Sequence, residues 1–218
     1  MDISGVKGIF FDMDGTLVDS EINTEKSVDI LLSELGIEHD DHDYKQYYGI
    51  TWEAIEKRIK DQFPAAQGSA LSGPLQKRFH ELFKKADFIP GVRDFIVEAK
   101  KSFRTAIATS SNRESVEFLV QRMNIDDFID DFIGAEDYEK SKPDPECYLL
   151  VAKKLGLAPE NCLVFEDSIP GLQAARNAGM WAAAITLRSP DEAKAREIAH
   201  LTAHDYEQLP LDFLTAIQ

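Results

Sequence analysis

An apolar run, Gly8-Ile9-Phe10-Phe11, leads straight into Asp12-Met13-Asp14-Gly15-Thr16, so two carboxylates one residue apart stand where a buried strand has to end. Carboxylates in such a place lose hydration, and a fold keeps them only where a cation, a cradle of hydrogen-bond donors or a proton compensates. Asp and Gly also favour turns, and an ordinary Asp-Gly turn accounts for the segment taken alone. The rest of the chain separates the two readings.

At 218 residues and 44% hydrophobic content the chain can bury a substantial core. Lys and Arg total 24 against 39 Asp and Glu, and the resulting charge of -15 repels phosphate backbones and anionic lipid surfaces. Nucleic-acid and membrane partners are therefore not expected. A small anionic substrate is still compatible, because a lysine, a metal ion and oriented amides reverse the field inside one pocket. Cys147 and Cys162 form no Cys-x-x-Cys pair and read as free thiols, which suits a reducing cytoplasm. No run approaches the ~18 apolar residues of a membrane span, and nothing at the start resembles an export signal, so a cytoplasmic location is expected.

Helical spacing marks Val28, Leu31, Leu32 and Leu35 with Gly36 as a stop, then Trp52, Ile55 and Ile59, then Leu75, Phe79, Leu82 and Phe83. Beyond Pro90-Gly91 helices alternate with short β-rich runs at 104–109, 132–134, 163–165 and 181–186. That alternation predicts a parallel sheet with helices on both faces. The expected architecture is α/β: a Rossmann-like parallel sheet core formed by 1–16 and 88–218, with an inserted α-helical cap over 17–87.

In an open parallel sheet, ligands bind outside the carboxyl ends of the strands. The first strand delivers Asp12 and Asp14 there. The second ends in Thr109-Ser110-Ser111-Asn112, short hydroxyls that can donate to an anion, although Ser111 or Asn112 also suits a helix cap. Lys142, in Ser141-Lys142-Pro143-Asp144-Pro145, by itself reads as a surface lysine before a proline-initiated helix. The strand Cys162-Leu163-Val164-Phe165 ends in Glu166-Asp167-Ser168, a second acid pair that also suits capping. In this order, four strand ends offering an acid pair, hydroxyls, a lysine and an acid pair are the parts phosphoryl transfer requires. A carboxylate attacking a phosphate meets repulsion, which a divalent ion and an ammonium offset. Oxygen-only ligands point to Mg²⁺.

These residues resemble the four ordered motifs of the haloacid dehalogenase superfamily. More narrowly, the stretch from Asp12 to Ser20, Lys142-Pro143-Asp144-Pro145 and Glu166-Asp167-Ser168-Ile169-Pro170-Gly171 are similar to the branch containing β-phosphoglucomutase and sugar-phosphate phosphatases. The resemblance implies that Asp12 is the nucleophile forming an aspartyl-phosphate, and that Asp14 is general acid, then base, with its backbone carbonyl joining the metal shell. It implies that Thr109 and the Ser110 amide hold phosphoryl oxygens, that Lys142 offsets charge, and that Asp167 binds Mg²⁺ with Asp12, Glu166 doing so directly or through water. Dehalogenases of this scaffold lack an acid at the position of Asp14, so its presence argues for phosphate over halide.

Mutases of the branch carry a cap histidine ten residues after the second Asp and an arginine three residues after a cap glycine. This chain has Thr24 and Trp52 at those positions, and Gly49, Thr51 and Trp52 read as a substrate loop, with Trp52 also suited to the cap core. The cap is expected to close over the phosphate site, hinging at 17–20 and near Asp87. The expected function is a Mg²⁺-dependent, monomeric phosphatase of a small phosphorylated metabolite. A phosphosugar mutase is the alternative, and a non-catalytic binding protein ranks below both because Asp12, Asp14, Lys142 and Asp167 are all retained.

Overall fold

The computed structural model describes residues 3, 5–48, 52–189, 191–210 and 212–218. The apolar runs form six strands, β1 (Gly8–Phe11), β2 (Arg104–Ala108), β3 (Asp131–Ile133), β4 (Cys162–Glu166), β5 (Trp181–Ile185) and β6 (Leu201–Ala203). All pair in parallel, in the order β3-β2-β1-β4-β5-β6. β6 escaped the sequence reading: it is a half-buried edge strand of three residues with no apolar run to mark it. The central β1 sets Phe11 beside Ile107 of β2 and Phe165 of β4, so the next residue, Asp12, emerges between the ends of both neighbours. The chain winds outward from β1 to β3 on one side and from β4 to β6 on the other. Such a reversal opens a crevice at the carboxyl ends of the strands.

The helices are α1 (Glu21–Glu34), α2 (Trp52–Gln62), α3 (Ser72–Phe83), α4 (Val92–Ala99), α5 (Arg113–Met123), α6 (Glu146–Leu155), α7 (Ile169–Asn177), α8 (Glu192–Ile198) and α9 (Phe213–Ala216). β1 and β4 are buried along their whole length, as strands covered on both faces must be. On one face Phe11 stacks on Phe165 at 5.6 Å, and Phe95 of α4 meets Phe165 edge-on at 5.1 Å. On the other, Phe10 and Val164 belong to one core with Tyr148 and Val151 of α6 and Leu172 and Ala175 of α7. Cys147 and Cys162 are free and buried, and burial pushes their thiols up to about 11 and about 12.

The chain divides into two compact units, residues 1–18 with 88–218, and residues 19–87. Within the α/β unit, Val18 and Phe88 pair in an antiparallel bridge, and the Ile89 amide donates to the Leu17 carbonyl at 3.0 Å. Leu17 and Val18 are fully buried and stay with that unit. The second unit contains α1, α2 and α3, and among its described residues there is no strand. Of the residues at helical spacing, its core takes Val28, Leu31, Leu32, Ile55, Ile59 and Leu75, while Leu35 and Trp52 pack against it and Trp52 meets Phe79 at 5.2 Å. Among the described residues no helix is long and apolar enough to cross a membrane.

Candidate active site

The Asp12 amide donates to the Phe165 carbonyl at 2.9 Å, which carries the β1–β4 ladder one residue past the strand and fixes the first carboxylate at the sheet edge. The chain then turns tightly, with Leu17 N donating to Met13 O at 2.8 Å and Gly15 at φ +74°. Gly15 is required twice over: its backbone is left-handed, and a Cβ there would lie 2.1 Å from Oδ2 of Asp167. The glycine lets the second acid pair approach the first.

At the end of β2 the Thr109 amide donates to Ile133 O at 3.0 Å, and Thr109 Oγ1 accepts from the Ser111 amide at 3.1 Å. Asn112 caps α5, accepting from Ser115 N at 2.9 Å. Ser111 instead donates its hydroxyl to Asp14 Oδ2 at 2.5 Å. Tyr138 donates toward the Thr109 carbonyl at 3.2 Å and Ser110 Oγ at 3.1 Å.

Lys142 does not stand at a strand end, contrary to expectation. β3 stops at Ile133, and the lysine comes from the connection between β3 and α6, where its peptide to Pro143 is cis. Its side chain, 7% exposed, donates to Asp12 Oδ1 at 2.6 Å, Glu166 Oε1 at 2.7 Å and Ala108 O at 3.2 Å, so one ammonium ties together the ends of β1, β2 and β4. Glu166 Oε1 also accepts from Tyr148 at 2.9 Å. Glu166 Oε2 accepts from the amides of Asp167 and Ser168 at 3.0 Å and from the Ser168 hydroxyl at 2.9 Å. Ser168 Oγ in turn caps α7 by accepting from Gly171 N at 3.1 Å.

Burial pushes Asp12 up to about 8; Lys142 opposes that rise, while Glu166 and Asp14 add to it. Burial also works against the Lys142 ammonium, but Asp12 and Glu166 overcome it and hold the lysine well above its ordinary value. Carboxylate oxygens of Asp12, Glu166 and Asp167, all buried, lie within 4.8 Å of one another. One ammonium cannot balance three buried carboxylates, and an oxygen-only donor set suits a hard divalent cation, so these residues fit Mg²⁺.

The structure thus brings Asp12, Asp14, Thr109, Ser110, Lys142, Glu166 and Asp167 to the ends of β1, β2 and β4 in the α/β unit. Trp52 lies in the other unit, at the start of α2, and Gly49 and Thr51 lie outside the described residues. Sequence reasoning missed the bonds of Ser111, Tyr138 and Tyr148. A signal for Tyr148 existed: a tyrosine on the apolar face of a helix needs a partner for its hydroxyl.

Residues 6–179 match the family of haloacid dehalogenase-like hydrolases, and the chain belongs to it. It is 32% identical over 185 residues to the phosphorylated carbohydrates phosphatase of Thermotoga maritima, an alignment covering 80% of this chain and 82% of that one. It is 29% identical to the fructose-1-phosphate phosphatase YqaB of Escherichia coli, over 83% of this chain and 96% of the relative. The structure of β-phosphoglucomutase from Clostridium difficile superposes with a TM-score of 0.72 at 19% identity, covering 96% of each chain, which is a likeness of fold.

Proposed function

We propose that this hydrolase is a Mg²⁺-dependent phosphatase of a small phosphorylated metabolite, a phosphorylated carbohydrate or a similar phosphomonoester. The observation that carries the reading is the buried contact of Lys142 with Asp12 at 2.6 Å, beside a second acid two residues along. The ammonium opposes the burial that pushes Asp12 up and draws in the phosphoryl group that would otherwise be repelled. The activities named for the two curated relatives support the substrate class. Thr24 and Trp52, where mutases of the branch carry histidine and arginine, favour water over a second sugar phosphate as acceptor.

Asp12 attacks phosphorus while Asp14 protonates the departing oxygen; Asp14 then takes a proton from the water that releases inorganic phosphate and restores Asp12. Thr109 and Ser110 orient the phosphoryl oxygens. Asp12 and Asp167 would hold Mg²⁺ together with the Asp14 carbonyl, and the ion would supply positive charge to the transferring oxygens. The five hydrogen bonds already accepted by Glu166 favour contact through water for that residue. Substrate selection is assigned to the helical unit. The test is phosphate release with Mg²⁺ from sugar phosphates, phosphoglycolate, nucleotides and pyrophosphate, with Asp12→Asn alongside. Release by the wild type and none by the variant is expected; no release from any compound would overturn the reading.

A further inference from the structure

In the proposed reaction Asp14 has two opposite tasks, giving a proton to the leaving oxygen and later taking one from water. It sits beyond the β1–β4 ladder, in the turn that follows Asp12. The Ser111 hydroxyl, from a strand end 97 residues away in sequence, donates to the Asp14 carboxylate at 2.5 Å from Oδ2. Ser111 is itself fixed on both sides. Its amide donates to Thr109 Oγ1 at 3.1 Å, and its carbonyl accepts from the Ala135 amide at 2.9 Å. Gly134 passes so close that a Cβ there would lie 3.3 Å from that carbonyl. Capping α5, the ordinary task of a serine at this point, is done by Asn112. The Ser111 hydroxyl is thus not needed by the helix, yet the residue's backbone is anchored on both sides and the hydroxyl is bonded to the second acid.

We infer that Ser111 is a positioning residue for Asp14, its hydroxyl anchoring the carboxyl in the orientation from which it exchanges protons. The inference rests on the phosphatase reading. In the step concerned, an Asp12 oxygen bonds to phosphorus, the bond from phosphorus to the leaving oxygen breaks with its electron pair on that oxygen, and the oxygen takes the proton of the Asp14 carboxyl. The resulting Asp14 carboxylate then removes a proton from the water that attacks the aspartyl-phosphate, releasing inorganic phosphate. An acid that accepts a hydrogen bond from a donor whose own backbone is anchored stays within reach of the leaving oxygen.

The experiment compares kcat/KM for phenyl phosphate and p-nitrophenyl phosphate, with Mg²⁺, in wild type, Ser111→Ala and Ser111→Thr. kcat/KM reports events up to departure of the leaving group. p-Nitrophenolate departs without needing a proton, whereas the more basic phenyl ester oxygen needs one. Ser111→Ala is expected to lower the phenyl phosphate value about tenfold and the p-nitrophenyl phosphate value at most about twofold, and Ser111→Thr to recover most of the loss. An equal loss with both esters, or no recovery with threonine, would overturn the role of Ser111 while leaving the phosphatase standing. A wild type inactive on both esters and on the metabolite panel would overturn the phosphatase reading and this inference together.

Discussion

Glu166 holds lysine, tyrosine and helix start with two oxygen atoms, so displacing it disturbs the ammonium, α6 and the first turn of α7 together. Gly171 is what allows it to sit there: a Cβ on that residue would lie 1.7 Å from Oε1. Gly171→Ala is therefore expected to push the carboxylate from its bonds, lower stability by about 2 kcal/mol and reduce turnover. Urea denaturation with an unchanged midpoint would contradict this. Asp12 acts on stability with the opposite sign. Its value rises from 3.8 to about 8 on folding, so between those limits the fold keeps a proton that the unfolded chain has lost. The stability of metal-free protein should then fall as pH rises through that window. Asp12→Asn cannot ionise, and it is expected to flatten the slope and raise the melting temperature of EDTA-treated protein at about pH 8 by ~2–4 °C. A wild-type melting temperature that climbs across the same window would count against the burial of Asp12 as described.

At the scale of elements, the site depends on α6 placing Tyr148 beneath the lysine, with Nζ 4.9 Å from the ring centroid and the hydroxyl on Glu166. Tyr148→Phe keeps the ring and removes the hydroxyl, leaving Glu166 Oε1 one donor short. A loss of about 1 kcal/mol in denaturant unfolding is expected, and none at all would mean that the bond contributes nothing net. β1, β2, β3, β4 and β5 were legible in the sequence as short β-rich runs that stop before a polar cluster, a trace that strands buried on both faces leave most clearly. β6 was not legible, because three half-buried residues at an edge have too little apolar content to stand out. The acid pairs and Lys142 were legible from chain order. The lysine's route to them was not, since it arrives from a connection and is held by contacts with three separate strand ends. Ser111 looked like a cap because capping is local, whereas its bond to Asp14 exists only once β1 and β2 lie side by side.

For the molecule as a whole, a net charge of -15 opposes the approach of an anionic substrate. Salt should therefore help: with Mg²⁺ saturating, raising ionic strength is expected to increase kcat/KM for a phosphomonoester about twofold, as repulsion beyond ~10 Å is screened. A steep fall with salt would indicate attraction instead. Under the proposed division of labour, the α/β unit carries the chemistry and the helical unit selects what reaches it. The central claim is that the phosphoryl group passes through Asp12. Its most direct test is to quench the enzyme in acid while it hydrolyses its best substrate from the panel, and to determine by peptide mass whether Asp12 carries a phosphoryl group. A phosphorylated Asp12 peptide in the wild type, absent from the inactive Asp12→Asn variant, is expected; sustained phosphate release with Asp12 never modified, or by Asp12→Asn itself, would contradict it.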